Sequence, residues 1–388
     1  MASAPVDTEH TRRRRWLMLL ALLVLLLLCI IALFIRYLLA PAPLPELLPV
    51  AGVFPPHYLF SIYGVDQPVG VALSPRSDRL YVTESGGSRL IKIFEREGQK
   101  IDQFSAPHTS EIQRAPVYLA TDQSGRVFVT DRLQRAVYVF DRNGNYIDAL
   151  LSPSLSLSEY VAQSDPTVST GGVEYINMLT QQVVYQKPGQ EQEHMLPLPP
   201  EAMTWSPLGV TFDASGSLLI TDAGGQTVHS VPAAALSASD WRNFNAAGLT
   251  PQFGEQGEGN GQLMFPNDTA VDSQRRVYVS DGNNGRITVW DGRGGFLFAF
   301  GRGAGDGALN LPRGLAMGEG DRLYVVDPVA QTVKVYDVSA SEPKFLFQFG
   351  DFGQEDGQFN FPNDIALDTA GRIYIADREN NRIQVWSY

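Results

Sequence analysis

The sequence has almost no cysteine and little histidine. Its 388 residues include a single cysteine, Cys29, which excludes disulfides within the chain and clusters of thiolate metal ligands. Of five histidines, His57, His108, His194 and His229 fall at dissimilar places relative to the strands that the sequence predicts. No Ser-His-Asp or Cys-His arrangement can be assigned among them. The sequence therefore identifies no catalytic residue, and we expect a binding protein rather than an enzyme.

Basic side chains are also scarce. The chain has 30 Lys and Arg against 42 Asp and Glu, a formal net charge of -12. Arg12 to Arg15 and Arg36 fall within the first 40 residues, so the remainder carries 25 basic and 40 acidic residues, a net charge of -15. Nucleic-acid binding needs a basic footprint. We therefore expect no nucleic-acid partner.

Long apolar runs are confined to one place near the N-terminus. The twenty residues from Trp16 to Ile35 carry no charge, four arginines precede them and Arg36 follows. A run of this length can cross a bilayer, and the basic side faces the cytoplasm. The sequence predicts a cytoplasmic segment over 1–15, a signal-anchor helix over 16–39 that spans the cell membrane once, a Pro-rich spacer over 40–55 and an extracytoplasmic body. Cleavage as a signal peptide is the alternative, but the apolar run exceeds the usual length.

Helical periodicity is absent after residue 40, and a repeat takes its place. Its six clear copies begin at Pro68, Pro116, Pro207, Pro266, Pro312 and Pro362, at intervals of 48, 91, 59, 46 and 50 residues. Each copy reads as a short apolar strand, a turn, a second strand such as "RVYVSD", a tight turn and a third strand such as "RITVW". A fourth strand usually follows. The pattern predicts an all-β fold, a β-propeller of four-stranded blades over 56–388.

The number of blades depends on the 91-residue interval. It contains "GGVEYIN" and "QQVVYQK", which fit a degenerate third blade. Seven blades are therefore favoured over six blades with an inserted loop. The last copy ends after its third strand, whereas "HYLFSIYG" at His57 is similar to the fourth strands "KFLFQFG" and "GFLFAFG". We expect the strand at His57 to complete the last blade and close the ring.

The repeats resemble NHL repeats over residues 57–388, most closely in the last three copies. The matching features are the opening proline, a strand of the form "GRIYIAD", the segment "NNRIQV" and the Gly-rich link "FGDFGQEDGQFNFP". The resemblance implies a propeller that acts as a binding platform, and some bacterial members are sensor domains outside the membrane. The expected function is that of a membrane-anchored scaffold or sensor for a protein, peptide or envelope ligand. A structural subunit of a membrane complex is an alternative.

One acid recurs at the end of the second strand of every copy. These residues are Glu84, Asp131, Asp222, Asp281, Asp327 and Asp377. A carboxylate at this position can accept hydrogen bonds from the backbone of the turn that follows. We interpret the set as structural and expect Arg286 and Arg382 to pair with their neighbouring aspartates. The Gly-rich links lack the spacing of calcium or phosphate loops and are interpreted as connectors.

The residue after each opening proline divides the ring in two. It is apolar in the first three copies and polar in the last three. The candidate ligand-binding residues are Asn267, Asp268, Arg313, Asn363 and Asp364. A polar pocket could hold a small ligand, an ion or a peptide carboxylate.

Gluconolactonase-like propellers use the Asn of such an Asn-Asp pair as a metal ligand, so a metal-dependent lactonase or esterase is another alternative. The first copy carries Val69-Gly70 and lacks the glutamate of that site. We therefore assign no metal ligand and expect no cofactor, calcium being the ion such a pocket would suit.

Overall fold

The computed structural model describes residues 9–39, 54–168, 172–237, 240–244 and 250–388. The chain divides into two compact units, Met1–Val50 and Ala51–Tyr388. The first contains helix α1, Glu9–Leu39, whose large apolar side chains from Trp16 to Ile31 are exposed. Within the described part of the chain, no helix combines the length and apolar character that crossing a membrane requires. The anchor over 16–39 stays a prediction, and most of the spacer over 40–55 lies outside the described residues.

The second unit begins with a single strand and three sheets. Strand β1 is His57–Ile62. The first sheet contains β2 (Pro68–Leu73), β3 (Arg79–Glu84), β4 (Ile91–Glu95) and β5 (Lys100–Phe104). The second contains β6 (Pro116–Thr121), β7 (Val127–Asp131), β8 (Ala136–Phe140), β9 (Tyr146–Ser152) and β10 (Leu155–Ser156). Helix α2 (Leu157–Ser164) precedes a third sheet of β11 (Glu174–Asn177), β12 (Gln182–Gln186) and β13 (Glu193–Pro197).

Three further sheets and the last blade follow. Helix α3 (Pro200–Thr204) leads into β14 (Pro207–Phe212), β15 (Leu218–Asp222), β16 (Thr227–Val231), helix α4 (Ala233–Leu236) and β17 (Thr250–Phe253). The next sheet contains β18 (Pro266–Val271), β19 (Val277–Asp281), β20 (Arg286–Trp290) and β21 (Phe296–Phe300). The sheet after it contains β22 (Leu315–Gly318), β23 (Arg322–Asp327), β24 (Thr332–Asp337) and β25 (Lys344–Phe349). The chain ends with β26 (Asp351–Phe352), β27 (Gln358–Phe359), β28 (Pro362–Leu367), β29 (Ile373–Asp377) and β30 (Arg382–Ser387). Short 3₁₀ turns occupy Trp241–Asn243, Gly282–Asn284 and Arg378–Asn380.

The first strands of six sheets, here called the inner strands, contact one another in a closed cycle. The order is β2, β6, β14, β18, β22, β28 and back to β2. Apolar side chains fill the spaces between neighbouring sheets, as where Tyr374 packs with Leu80 and Val82. Burial of such alternating side chains is the main stabilising contribution in a fold of this kind.

Side chains supply most of the hydrogen bonds between neighbouring inner strands. The Thr121 hydroxyl on β6 donates to the Leu73 carbonyl on β2 at 2.6 Å, and the Thr211 hydroxyl on β14 donates to the Thr269 carbonyl on β18 at 2.7 Å. The inner strands therefore stay separate from one another in six sheets, yet their buried carbonyls are satisfied.

These contacts bear on the choice between six and seven blades. The second sheet packs directly on the fourth, with Phe128 beside Leu218 and Ile220. The Thr130 hydroxyl on β7 donates to the Leu208 carbonyl on the inner strand β14, and the inner strands β6 and β14 are also in contact. Among the described residues, the sheet β11–β13 therefore has no place in the cycle between them. It packs instead with α2 and the second sheet, as an insertion beside a ring of six inner strands.

The predicted closure of the ring is confirmed. Strand β1 pairs antiparallel with β30, and His57 lies opposite Ser387. The last sheet therefore has the order β1-β30-β29-β28, with its outermost strand taken from the start of the unit. This pairing joins the two ends of the ring and removes an unpaired sheet edge.

The strand-end acids accept backbone hydrogen bonds in all six copies, but among the described residues only Asp131, Asp222 and Asp327 accept them from the turn that follows, as predicted. Each carboxylate accepts a hydrogen bond from the backbone of the link that enters its inner strand. The donors are the N–H groups of Asp66, Ala115, Ser206, Met264, Asn310 and Asn360. The two expected ion pairs also form, Arg286 with Asp281 and Arg382 with Asp377, each at 2.8 Å. Both arginines also donate to carbonyls of the Gly-rich links, which are connectors as expected.

Candidate functional site

The centre of the ring holds a cavity of about 340 Å³, here called the channel cavity. All six inner strands contribute to its wall, through Val71, Leu119, Val210, Asp268, Leu315 and Asp364 among others. It extends to the turn after β2, at Ser74 and Pro75, and to Thr369 after β28. It therefore lies toward the carboxyl ends of the inner strands.

Glycine alternates with a large side chain at the second position after each opening proline. Around the ring this position is Gly70, Tyr118, Gly209, Asp268, Gly314 and Asp364. Each glycine leaves space for the large residue of the next inner strand. A Cβ on Gly314 would lie 2.4 Å from Asp364 Oδ1, and one on Gly209 would lie 2.7 Å from the Cα of Asp268. The alternation thus lets three large side chains share the narrow axis.

The two channel aspartates make equivalent contacts. Asp268 Oδ2 accepts from the N–H of Leu315 at 2.9 Å, and Asp364 Oδ2 accepts from the N–H of Val71 at 2.8 Å. Both donors belong to the next inner strand. The side chains are buried, with residue exposures of 5 % for Asp268 and 4 % for Asp364. Each acid therefore joins two blades and also borders the channel cavity.

Burial makes both carboxyl groups hard to ionise. It raises the pKa of Asp268 to about 7, against the partial opposition of the Leu315 N–H. It also raises the pKa of Asp364 well above its ordinary range, and the nearby charge of Asp268 raises it further. Ionisation of one acid therefore opposes ionisation of the other.

Tyr118 is the third large side chain on the axis, and the sequence analysis missed it. The residue is 2 % exposed, and among the described residues its hydroxyl has no hydrogen-bond partner. Burial and then Asp364 raise the pKa of this hydroxyl, whereas Arg313 lowers it. The alternation of Gly with Tyr or Asp at the second position was the available signal.

The other three predicted site residues lie outside the wall of the channel cavity. Asn267 Nδ2 donates to the Pro312 carbonyl at 3.4 Å, and Asn363 Nδ2 donates to the Val69 carbonyl. Arg313 Nη1 donates to Asn363 Oδ1 at 3.0 Å, and the guanidinium lies 5.5 Å from the centre of the Phe361 ring. These side chains stabilise contacts between neighbouring inner strands. The structure thus brings the five residues close together but gives only the two aspartates a place on the cavity.

The metal site of the lactonase alternative does not fit these contacts. Asn363 Oδ1, which would be the ligand atom, accepts from the positively charged Arg313. Val69 and Gly70 stand where the missing glutamate would be. In the part of the chain that the structure describes, no three His, Cys, Asp or Glu side chains form a group suited to a metal ion.

Comparisons with known proteins agree with this architecture. The NHL repeat family matches residues 263–290 and 359–386. The protein brain tumor of Drosophila melanogaster is 34 % identical over 89 residues, which are 22 % of this chain and 9 % of that protein. The chain carries NHL repeats in a β-propeller.

Two solved structures share the fold at low sequence identity. One is a streptogramin B lyase, with 12 % identity and a TM-score of 0.53 over 86 % of this chain and 98 % of the lyase. The other is virginiamycin B lyase from Staphylococcus aureus, with 13 % identity and a TM-score of 0.52 over 85 % of this chain and 98 % of the lyase. Identities this low relate the folds and do not transfer an activity.

Proposed function

We propose that this propeller is a membrane-attached scaffold that binds a protein or peptide through one face of the ring. The face in question contains the opening prolines of the six inner strands, the links that lead into them and the turns after the strand-end acids. We name it the proline face. The observation that carries the proposal is the distribution of exposed apolar side chains between this face and the opposite one.

Large apolar side chains are exposed on the loops of the proline face. They are Tyr63, Ile112, Leu133, Val329 and Phe352, with exposures between 45 % and 77 %. The opposite face is formed by turns such as 74–78, 122–126, 213–217, 272–276, 319–321 and 368–371. Within those turns, all of which the structure describes, no large apolar side chain is exposed. Exposed apolar groups concentrated on one side are typical of surfaces that bind proteins.

The exposed apolar groups stand on loops held by the fold. Arg89 Nη1 donates to the carbonyls of Glu111 and Arg114, which fixes the link that carries Ile112. Arg382 Nη2 donates to the Glu355 carbonyl in the link that carries Phe352. Loops held in one conformation lose little entropy on binding. This favours recognition by a preformed surface.

Photo-crosslinking tests which face binds the partner. A benzophenone amino acid at Leu133 or Val329 is expected to give discrete adducts in native membranes. The matched controls carry the same group at Ser215 or Glu319, two exposed positions on turns of the opposite face. Adducts of equal yield from both faces, or none from the proline face, would contradict the proposal. A second check uses Leu133→Glu, which should remove adducts formed from Val329.

Attachment to the cell membrane is proposed from the sequence of α1. The twenty uncharged residues from Trp16 to Ile35 follow four arginines, an arrangement that favours a cytoplasmic N-terminus and an extracytoplasmic propeller. Extraction of native membranes with alkaline carbonate tests this. The full chain should remain in the membrane pellet, whereas a chain that begins at residue 54 should not. Release of the full chain into the supernatant would refute the attachment.

A further inference from the structure

We propose that the channel cavity is a second binding site, which holds the ammonium group of an alkyl amine between Asp268, Asp364 and the hydroxyl of Tyr118. The site goes beyond the proposed scaffold function, because it lies at the end of the channel away from the proline face. Three separate features of the cavity support the assignment: its charge, its unused hydroxyl and the character of its wall.

The charge of the cavity is not balanced by the protein. The residues of its described wall include Asp268 and Asp364 but no Lys, Arg or His. Arg313, which lies just before the inner strand β22, donates from Nη1 to Asn363 Oδ1 and places its guanidinium over the Phe361 ring. Without a cation the buried pair is driven toward its protonated forms, and an ammonium group placed between the two would stabilise the ionised carboxylates.

The unused hydroxyl of Tyr118 points to a missing hydrogen-bond partner. Tyr118 is 2 % exposed and borders the channel cavity together with both acids. Among the described residues its hydroxyl has no partner, although a buried polar group of this kind is normally bonded. An ammonium group offers three N–H donors, one for each of the two carboxylates and one for the phenolic oxygen.

The wall of the cavity suits an alkyl chain. Val71, Leu119, Val210 and Ile365 are apolar parts of it. The hydroxyl of Thr211, which also borders the cavity, already donates to the Thr269 carbonyl at 2.7 Å. A volume of about 340 Å³ lies within the range of small-molecule sites and far exceeds that of one ion. A calcium ion would need six or more oxygen ligands, whereas an alkyl ammonium needs three acceptors and an apolar surface.

The amine could be a free alkyl amine or the side chain of a peptide lysine, since both present the same group. Calorimetric titration of the full chain in lipid nanodiscs tests the proposal with three probes: n-butylammonium, N-acetyl-lysine N-methylamide and n-butanol. We expect n-butylammonium to bind and n-butanol, which has the same alkyl chain without charge, to show no binding. Tighter binding of the lysine derivative would identify a peptide as the source, and binding of n-butylammonium alone would identify a free amine.

Variants locate the site. Asp268→Asn and Asp364→Asn should each weaken the binding of n-butylammonium at least tenfold, and Tyr118→Phe should weaken it several-fold. The matched control is Asp148→Asn, because Asp148 is as deeply buried but lies outside the cavity. This control should bind as the natural chain does.

Three results would overturn the assignment. They are equal binding of n-butanol, tighter binding of calcium than of the amine, or full affinity in a folded Asp364→Asn variant. The probe comparison on the natural chain decides the question even if a variant fails to fold. It also does not depend on the photo-crosslinking of the proline face, so either proposal can fail while the other stands.

Discussion

The two copies that begin "FPND" each contain three buried aspartates, of which two have opposite surroundings. At the end of the second strand, Asp281 and Asp377 are fully buried and paired with Arg286 and Arg382. On the inner strands, Asp268 and Asp364 are almost as buried, and no salt bridge involves either of them among the described residues. Both kinds of aspartate recur with the repeat. Recurrence alone therefore does not separate a structural acid from a candidate site.

The two kinds of aspartate differ in how completely the protein satisfies their charge. Asp377 Oδ2 accepts from Asn380, Arg382 and Gln384, and Asp377 Oδ1 accepts from the N–H of Asn360. Nothing is left for a ligand to add. The channel aspartates, by contrast, receive one backbone N–H each on Oδ2 and lie beside a cavity. A carboxylate that the fold satisfies completely builds structure, whereas one that it satisfies in part can take a ligand.

The largest expected effect concerns the strand-end aspartates. Asp377→Ala leaves the buried Arg382 without its counter-ion and the Asn360 N–H without its acceptor. Removing one partner of a buried ion pair costs about 3–5 kcal/mol, because the remaining charge stays buried. Urea unfolding of the purified chain at pH 7 measures the loss. The comparison variant is Asp364→Asn, which keeps an acceptor for the Val71 N–H. Equal losses in the two variants would show that the two kinds of aspartate do not differ.

The second prediction concerns how the channel aspartates make the stability of the protein depend on pH. Burial raises the pKa of Asp268 from 3.8 to about 7, so the folded chain holds a proton that the unfolded chain releases above about pH 4. The free energy of unfolding should therefore decrease as pH rises from 4 to 7. Asp268→Asn removes this contribution, and its stability relative to the natural chain should increase over that range, by up to about 4 kcal/mol at about 1.4 kcal/mol per pKa unit.

Urea unfolding of both chains at pH 4.5 and 7.5 provides the measurement. Asp364 and Tyr118 face the same space, so part of the change will come from their altered titration. A stability difference that is constant with pH would mean that Asp268 is ionised in the folded chain, and that the channel aspartates are compensated after all.

Features that recur in every copy could be predicted from the sequence. The strands, the closure at His57 and the strand-end acids depend on local patterns of apolar residues and turns. The number of blades depends on which sheets touch, as when Thr130 meets Leu208, and no local pattern encodes that contact. The alternation of Gly with Tyr or Asp at the second position is visible in the sequence, but its meaning requires the order of the inner strands.

The channel residues show the same limit. Asn267 and Asn363 were expected to border the channel, yet they donate to carbonyls of the next inner strand. Successive residues of a strand point to opposite sides, so the residue after the proline faces the joint between blades and the following one faces the axis. Of each predicted Asn-Asp pair, the aspartate therefore borders the channel cavity and the asparagine does not.

The smallest expected effect concerns Tyr118, the third large side chain on the channel axis. Tyr118→Phe removes a hydroxyl that has no partner among the described residues, so no hydrogen bond is lost. The change in unfolding free energy should stay within about 1 kcal/mol and should favour the variant, since a buried unpaired hydroxyl is costly. Tyr278→Phe is the matched control, because the equally buried Tyr278 hydroxyl donates to Asp272 Oδ2 at 3.0 Å and its loss should cost about 1–2 kcal/mol. If both variants lose the same stability by urea unfolding, the Tyr118 hydroxyl has a partner in the folded chain. The two aspartates would then be the acceptors that the channel offers to a ligand, without the Tyr118 hydroxyl.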